Sequence, residues 1–203
     1  MPTFKLKTTY LFALLTLAVS PALATADSTS SDSSKPKDGQ VEVSPQVQGG
    51  AEYNKPLPEG PTVKGDRAVV RNINGKRIAL APENAPIEVQ RAIWAANEIQ
   101  GLPYIYGGGH KSFKADGYDC SGTVSYALHG AGLLDSPLDS SSFMSYGEAG
   151  KGKWITIYTN PGHAFVIIAG LRLDTSGKGG KGPRWRTEKR GKRGFTKRHP
   201  ANF

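Results

Sequence analysis

The amino-acid sequence predicts an α+β domain, with helices packed against an antiparallel sheet. Three observations carry this. Cys120, Val124, Ala127, Leu128 and Ala131 recur at helical spacing and form one apolar stripe over 120–134. Residues 153–159 and 163–169 are rich in β-branched and aromatic side chains and flank the turn Asn160-Pro161-Gly162. Gly170 then turns the chain into a third strand over 171–175.

Taken from its start, the chain reads as an exported protein. Lys5 and Lys7 precede the apolar run Tyr10 to Val19, which is short for a membrane span. Ala22-Leu23-Ala24 and Ala24-Thr25-Ala26 are small-x-small cleavage sites, so 1–26 reads as a signal peptide. No cysteine follows this run until Cys120, which excludes a lipoprotein anchor. The expected location is secreted or in the cell envelope.

Residues 27–61 are rich in Ser, Asp, Pro, Gly and Lys and read as a disordered linker, with too little apolar surface to offset chain entropy. Over 62–83, Asn74-Gly75 between apolar runs predicts a hairpin extension. The main domain is expected over 84–176. Its first helix starts near Pro86 with Asn84 as a cap, buries Val89, Ile93 and Ala96, and ends at Gly101. Gly107-Gly108-Gly109 then allow the backbone to pass close to another element.

Cys120 is the only cysteine in 203 residues. In an exported protein, where cysteines are normally paired, a lone one marks a reactive thiol. The competing reading is a small buried hydrophobe. Asp119 is placed as N-cap of the helix that Cys120 opens, and the free N–H groups of that first turn favour a thiolate. The Asp119 charge opposes this, so a base is needed nearby.

Four histidines compete for that role. His129 lies nine residues along the same helix, which at about 100° per residue is the opposite face. His199 sits among charges and reads as solvated. His110, in the glycine loop, is not excluded by geometry. His163 heads an apolar strand of the kind the Cys120 helix would pack against. If Ala169-Gly170 is a two-residue turn, Phe165 lies opposite Asp174, and His163, Phe165 and Asp174 share one sheet face. Asp174 is then a diagonal neighbour able to orient the imidazole.

Tyr104-Ile105-Tyr106-Gly107-Gly108, Tyr118-Asp119-Cys120-Ser121-Gly122 and Gly162-His163, in this order and spacing, resemble the NlpC/P60 family of cell-wall cysteine peptidases. The resemblance covers roughly 85–175. It implies a papain-like fold and hydrolysis of peptidoglycan stem peptides, typically between D-γ-glutamyl and a diamino acid. It further implies Cys120 as nucleophile, His163 as base and a third polar residue at or near Asp174. Tyr104 matches a tyrosine beside the cysteine, and Asp119 and Ser121 match positions lining the substrate cleft. The family's third residue is usually His, Asn or Gln, so an Asp here is a departure.

From Lys178 onward ten Lys and Arg face Glu188 alone, so 177–203 reads as a basic tail, docked in part through Trp185 and Phe195. For an exported chain such charge fits anionic wall polymers or lipid rather than nucleic acid. No cofactor is expected, since the histidines and the single cysteine lack zinc-ligand spacing. Two other function classes stay open: a cysteine-dependent amidase or acyl transferase, and a non-catalytic wall-binding protein.

Overall fold

The computed structural model describes residues 56–178 and 181–203. The expected signal peptide and most of the expected linker lie outside the described residues. The rest is α+β: two α-helices, a small three-stranded sheet and a six-stranded antiparallel sheet. No helix of the described residues is long and apolar enough to cross a membrane.

In chain order, β1 (Thr62–Val63), β2 (Val69–Ile73) and β3 (Lys76–Pro82) form the small sheet, with β3 central. The β2–β3 turn is Asn74-Gly75, and both residues have positive φ (51° and 75°), as a two-residue hairpin needs. Helix α1 (Ile87–Glu98) buries Val89, Ile93 and Ala96. Its N-cap is Pro86, with ψ 149°, and no side chain caps it; the expected Asn84 cap is corrected. Proline has no N–H to leave unsatisfied, so this start costs little. Asn97 of α1 then pairs with both backbone groups of Ala79 at 2.8 and 2.9 Å, tying α1 to β3.

Helix α2 (Cys120–Gly130) is shorter than the expected run to Leu134. Gly132 has φ 71°, its N–H donates to His129, and the Leu133 N–H donates to Leu128. That pair of bonds stops a helix by satisfying its last carbonyls. A 3₁₀ turn, Ser142–Ser145, follows.

The main sheet contains β4 (Glu148–Ala149), β5 (Ile155–Asn160), β6 (His163–Ile168), β7 (Leu171–Asp174), β8 (Arg184–Arg186) and β9 (Thr196–His199), in the order β4-β9-β5-β6-β7-β8. Residues Pro161-Gly162 and Ala169-Gly170 make two-residue turns. Val166 pairs with Leu173 and Ile168 with Leu171, the register that sets Phe165 against Asp174.

One face of this sheet, with Ile155, Ile157, Ala164, Val166, Ile168 and Leu173, joins α1 and α2 in the hydrophobic core. The other face is covered by the basic C-terminal segment. Phe165 stacks on Tyr158 at 4.9 Å between ring centroids, Phe195 meets Phe165 edge-on at 5.1 Å, and the Arg190 guanidinium lies 5.1 Å from the Phe165 ring. Residues 181–203 are therefore a structural layer of the domain, contributing β8, β9 and the cover of the second face. His199, expected in solvent, belongs to β9 and its side chain is 14% exposed.

Candidate active site

Cys120 is the first residue of α2 and is 8% exposed. What fixes it is local. The Asp119 carboxylate accepts from Gly122 N–H at 2.8 Å and from Gly107 N–H at 3.1 Å. His110 Nε2 lies 2.9 Å from Asp119 Oδ2 and 3.0 Å from Ser121 Oγ, and that hydroxyl donates to Asp119 at 3.2 Å. The glycine loop passes so close to α2 that a Cβ on Gly122 would lie 2.0 Å from the Gly108 carbonyl oxygen. Glycine at 109 and 122 is what permits this backbone-on-backbone packing.

Asp119 and Ser121 are buried and engaged with the glycine loop and His110. Both side chains are as deeply placed as Cys120 itself and hold the loop that carries the helix start. Tyr104 is 37% exposed. Burial, and then the charges of Cys120 and Asp119, push its phenol above the ordinary value. Ile105 and Tyr106, which follow it, are 43% and 91% exposed.

His163 reaches Cys120 from β6. The α2 helix packs on the sheet face of Ala164, Val166 and Ile168, while His163 and Phe165 belong to the opposite face. The two side chains meet at the strand end, beyond the last β6–β7 pair, Val166 with Leu173. His163 Nε2–H donates to Asp174 Oδ1 at 3.0 Å, which leaves Nδ1 for the sulfur. Asp174 Oδ1 also accepts from the Ser176 N–H at 2.9 Å and from its hydroxyl at 3.1 Å. Arg190 Nη1 forms an ion pair with Oδ2 at 3.1 Å, and Arg172 Nε approaches the same oxygen at 3.8 Å.

These contacts set the ionisation of the group. Burial pushes the Cys120 thiol up, but hydrogen bonds from His163 and the Ala164 N–H, with the His163 charge, outweigh it and leave the thiol below its ordinary value; the Asp119 charge opposes this weakly. Burial likewise lowers His163, but its hydrogen bonds to Asp174 and Cys120, and their charges, carry it up to about 9. Burial raises the Asp174 carboxyl, yet His163, the Ser176 N–H and Arg190 hold it below the usual range. All three shifts favour a thiolate–imidazolium–carboxylate row. At the helix start, the N–H groups of Gly122 and Thr123 are taken by Asp119, while those of Cys120 and Ser121 have no acceptor among the described residues.

No family model matches the chain, and no curated protein matches it. Among solved structures, the chain is similar to the peptidoglycan hydrolase RipB from Mycobacterium tuberculosis, at 26% sequence identity and a TM-score of 0.43. The match covers 55% of this chain and 64% of the RipB chain, so the chain spans under two thirds of that structure's length.

Of the other histidines, His110 braces Asp119 and Ser121, and His129 stacks on Phe113 at 3.7 Å away from the sulfur. No group of three or more His, Cys, Asp or Glu side chains gathers to hold a metal ion among the described residues. Sequence reasoning missed Arg190 and Phe195 as neighbours of the site. Phe195 lies edge-on to His163 at 6.3 Å. The signal that could have found them is the pair of aromatic residues inside an otherwise basic segment.

Proposed function

We propose that the protein is an exported cysteine endopeptidase of the NlpC/P60 type that hydrolyses peptidoglycan stem peptides, at a D-γ-glutamyl–diamino acid bond. The observation that carries this is the row Cys120, His163, Asp174, with the thiol lowered, the imidazole raised to about 9 and the carboxylate buried behind it. The substrate class rests on the motifs around Tyr104, Cys120 and His163.

In this reading the Cys120 thiolate attacks the scissile carbonyl carbon and forms a C–S bond. The oxyanion is met by the unpartnered Cys120 N–H and by Tyr104, whose raised pKa keeps its phenol a hydrogen-bond donor. His163 gives its proton to the leaving amine as the C–N bond breaks. Water then attacks the thioester, passing a proton to His163, and the C–S bond breaks to free the acid and restore the pair. Asp174 fixes the imidazole with Nδ1 toward sulfur and stabilises its charged form. His110 is a positioning residue for the helix start, and Asp119 and Ser121, which it braces, bind the stem peptide together with Tyr104. No step needs a cofactor.

The test is mass spectrometry of isolated peptidoglycan digested by the wild-type protein and by Cys120→Ala. The expected products carry new diamino-acid amino termini, absent with the variant. Release of whole stem peptides from the sugar would point to an amidase instead. An intact polymer, bound equally by both proteins, would leave a wall-binding protein.

A further inference from the structure

A cavity of about 310 Å³ lies away from Cys120, on the tail-covered face of the main sheet. Its floor is aromatic, with Tyr158 and Trp154, and its walls carry Arg67, Lys151, Lys153 and Lys192. The four cations come from three distant stretches of chain: the start of the small sheet, the loop before β5 and the C-terminal segment. None of the four forms an ion pair among the described residues, and Asp66 is the one acidic side chain lining the space.

The assembly is built rather than incidental. The Arg67 guanidinium lies against the Ala169-Gly170 turn, its Nη2 2.7 Å from where a Cβ on Gly170 would be. The Ala68 N–H donates to the Ala169 carbonyl at 3.0 Å and fixes the adjoining backbone. Lys192 Nζ sits 4.9 Å from the Tyr158 ring centroid and Lys153 Nζ 5.4 Å from that of Trp154. Aromatic faces attract cations and hold them without neutralising them. Gathering four like charges around one space costs repulsion, and a bound polyanion would relieve it.

The geometry points to a second binding site here, for a linear phosphate-bearing polyanion. A cavity this open suits a few units of a chain rather than an enclosed small molecule, and its mouth faces the surface flanked by Lys and Arg. It lies along β6 from His163, with Ile167 in its lining. Four residues of strand place it about 13 Å from the imidazole. A polymer held there would retain the protein beside its substrate without entering the catalytic row. This goes beyond the hydrolase reading and does not require it.

The test uses the full chain and long-chain inorganic polyphosphate, with binding measured at several salt concentrations. Wild type and Cys120→Ala are expected to bind alike, and more weakly as salt rises. The combined variant Arg67→Gln, Lys151→Gln, Lys153→Gln, Lys192→Gln is expected to lose about tenfold or more in affinity and to flatten the salt dependence. The single variants Lys151→Gln and Lys192→Gln, both at exposed positions, should each lose part of that effect with folding intact. The control replaces three exposed lysines outside the cavity, Lys181→Gln, Lys189→Gln and Lys197→Gln, and should stay within about twofold. Equal losses in control and cavity variants would mean diffuse charge attraction and overturn the proposal. So would no binding by wild type, or tighter binding of polyglutamate, a phosphate-free polyanion, at matched charge. Because the readout is binding, a failed hydrolase assay leaves this result untouched, and the reverse also holds.

Discussion

Cys120 is held by side chains and backbone from 107–122, whereas His163 is held by residues drawn from 158–195. On the first side the contacts are short in sequence: an N-cap, a histidine nine residues before that cap, and glycines that let one backbone lie on another. On the second they depend on strand register and on a C-terminal layer, through Asp174, Ser176, Arg190 and Phe195. The difference is between a proposed nucleophile positioned by local rules and a proposed acid–base partner positioned by the whole sheet. It predicts that damage to the two sides will look different.

The largest effect should come from removing the C-terminal layer. Truncation after Gly177 deletes β8 and β9 and uncovers Phe165 and Tyr158, which are 0% and 1% exposed in the intact domain. Each such aromatic contributes about 1.5–3 kcal/mol on burial, and a domain is stable by only about 5–15 kcal/mol. The truncated chain should lose its cooperative thermal transition; a retained sharp transition would show the second face to be dispensable.

Next comes Asp174→Asn. It removes the carboxylate that holds His163 up, so burial pulls the imidazole below about 9 and the thiol rises with it. The ion pair exists between the two values, so the pH window of activity narrows from its alkaline side. A fall of about 100-fold in kcat at neutral pH is expected with folding retained, and an unchanged alkaline limb would contradict the assignment.

Gly122→Ala probes the other side. Its methyl group would meet the Gly108 carbonyl, and backbone must move to admit it. A loss of about 1–3 kcal/mol in denaturant unfolding is expected, with the alkaline limb in place because the His163 row is untouched.

The smallest effect is expected for Arg190→Gln. Arg190 helps hold the Asp174 carboxyl below the usual range. A carboxylate with a depressed pKa keeps its contribution above its ordinary value and loses it as pH falls through the folded value. Removing the guanidinium raises that folded value, so activity should be lost at a higher pH on the acid side, with less than about a tenfold fall at neutrality. Arg190→Lys should restore part of the shift, which a purely packing role would not do.

The same contrast explains what was legible in the sequence. Helix α2, its Asp119 cap, the Asn74-Gly75 hairpin and the β6–β7 register follow from spacing and turn chemistry within a few residues. The register alone was enough to bring Asp174 to the face of His163. The strands β8 and β9 were not legible, because Arg184-Trp185-Arg186 and Thr196-Lys197-Arg198-His199 carry polar side chains that read as solvated. Backbone pairing to β7 and β5 makes them strands, and pairing leaves little mark on composition. The contact of His110 with Asp119 and Ser121 was not legible for a related reason: a motif gives positions, while hydrogen bonding to a histidine in a separate loop is set by the fold.

In the proposed mechanism His163 and Cys120 form an ion pair in the resting protein. It is tested most directly by following thiolate ultraviolet absorbance with pH, taken as wild type minus Cys120→Ala. Thiolate is expected already well below the ordinary thiol range, with a return toward that range in His163→Ala. A thiol that titrates like an ordinary cysteine, unmoved by loss of His163, would contradict it.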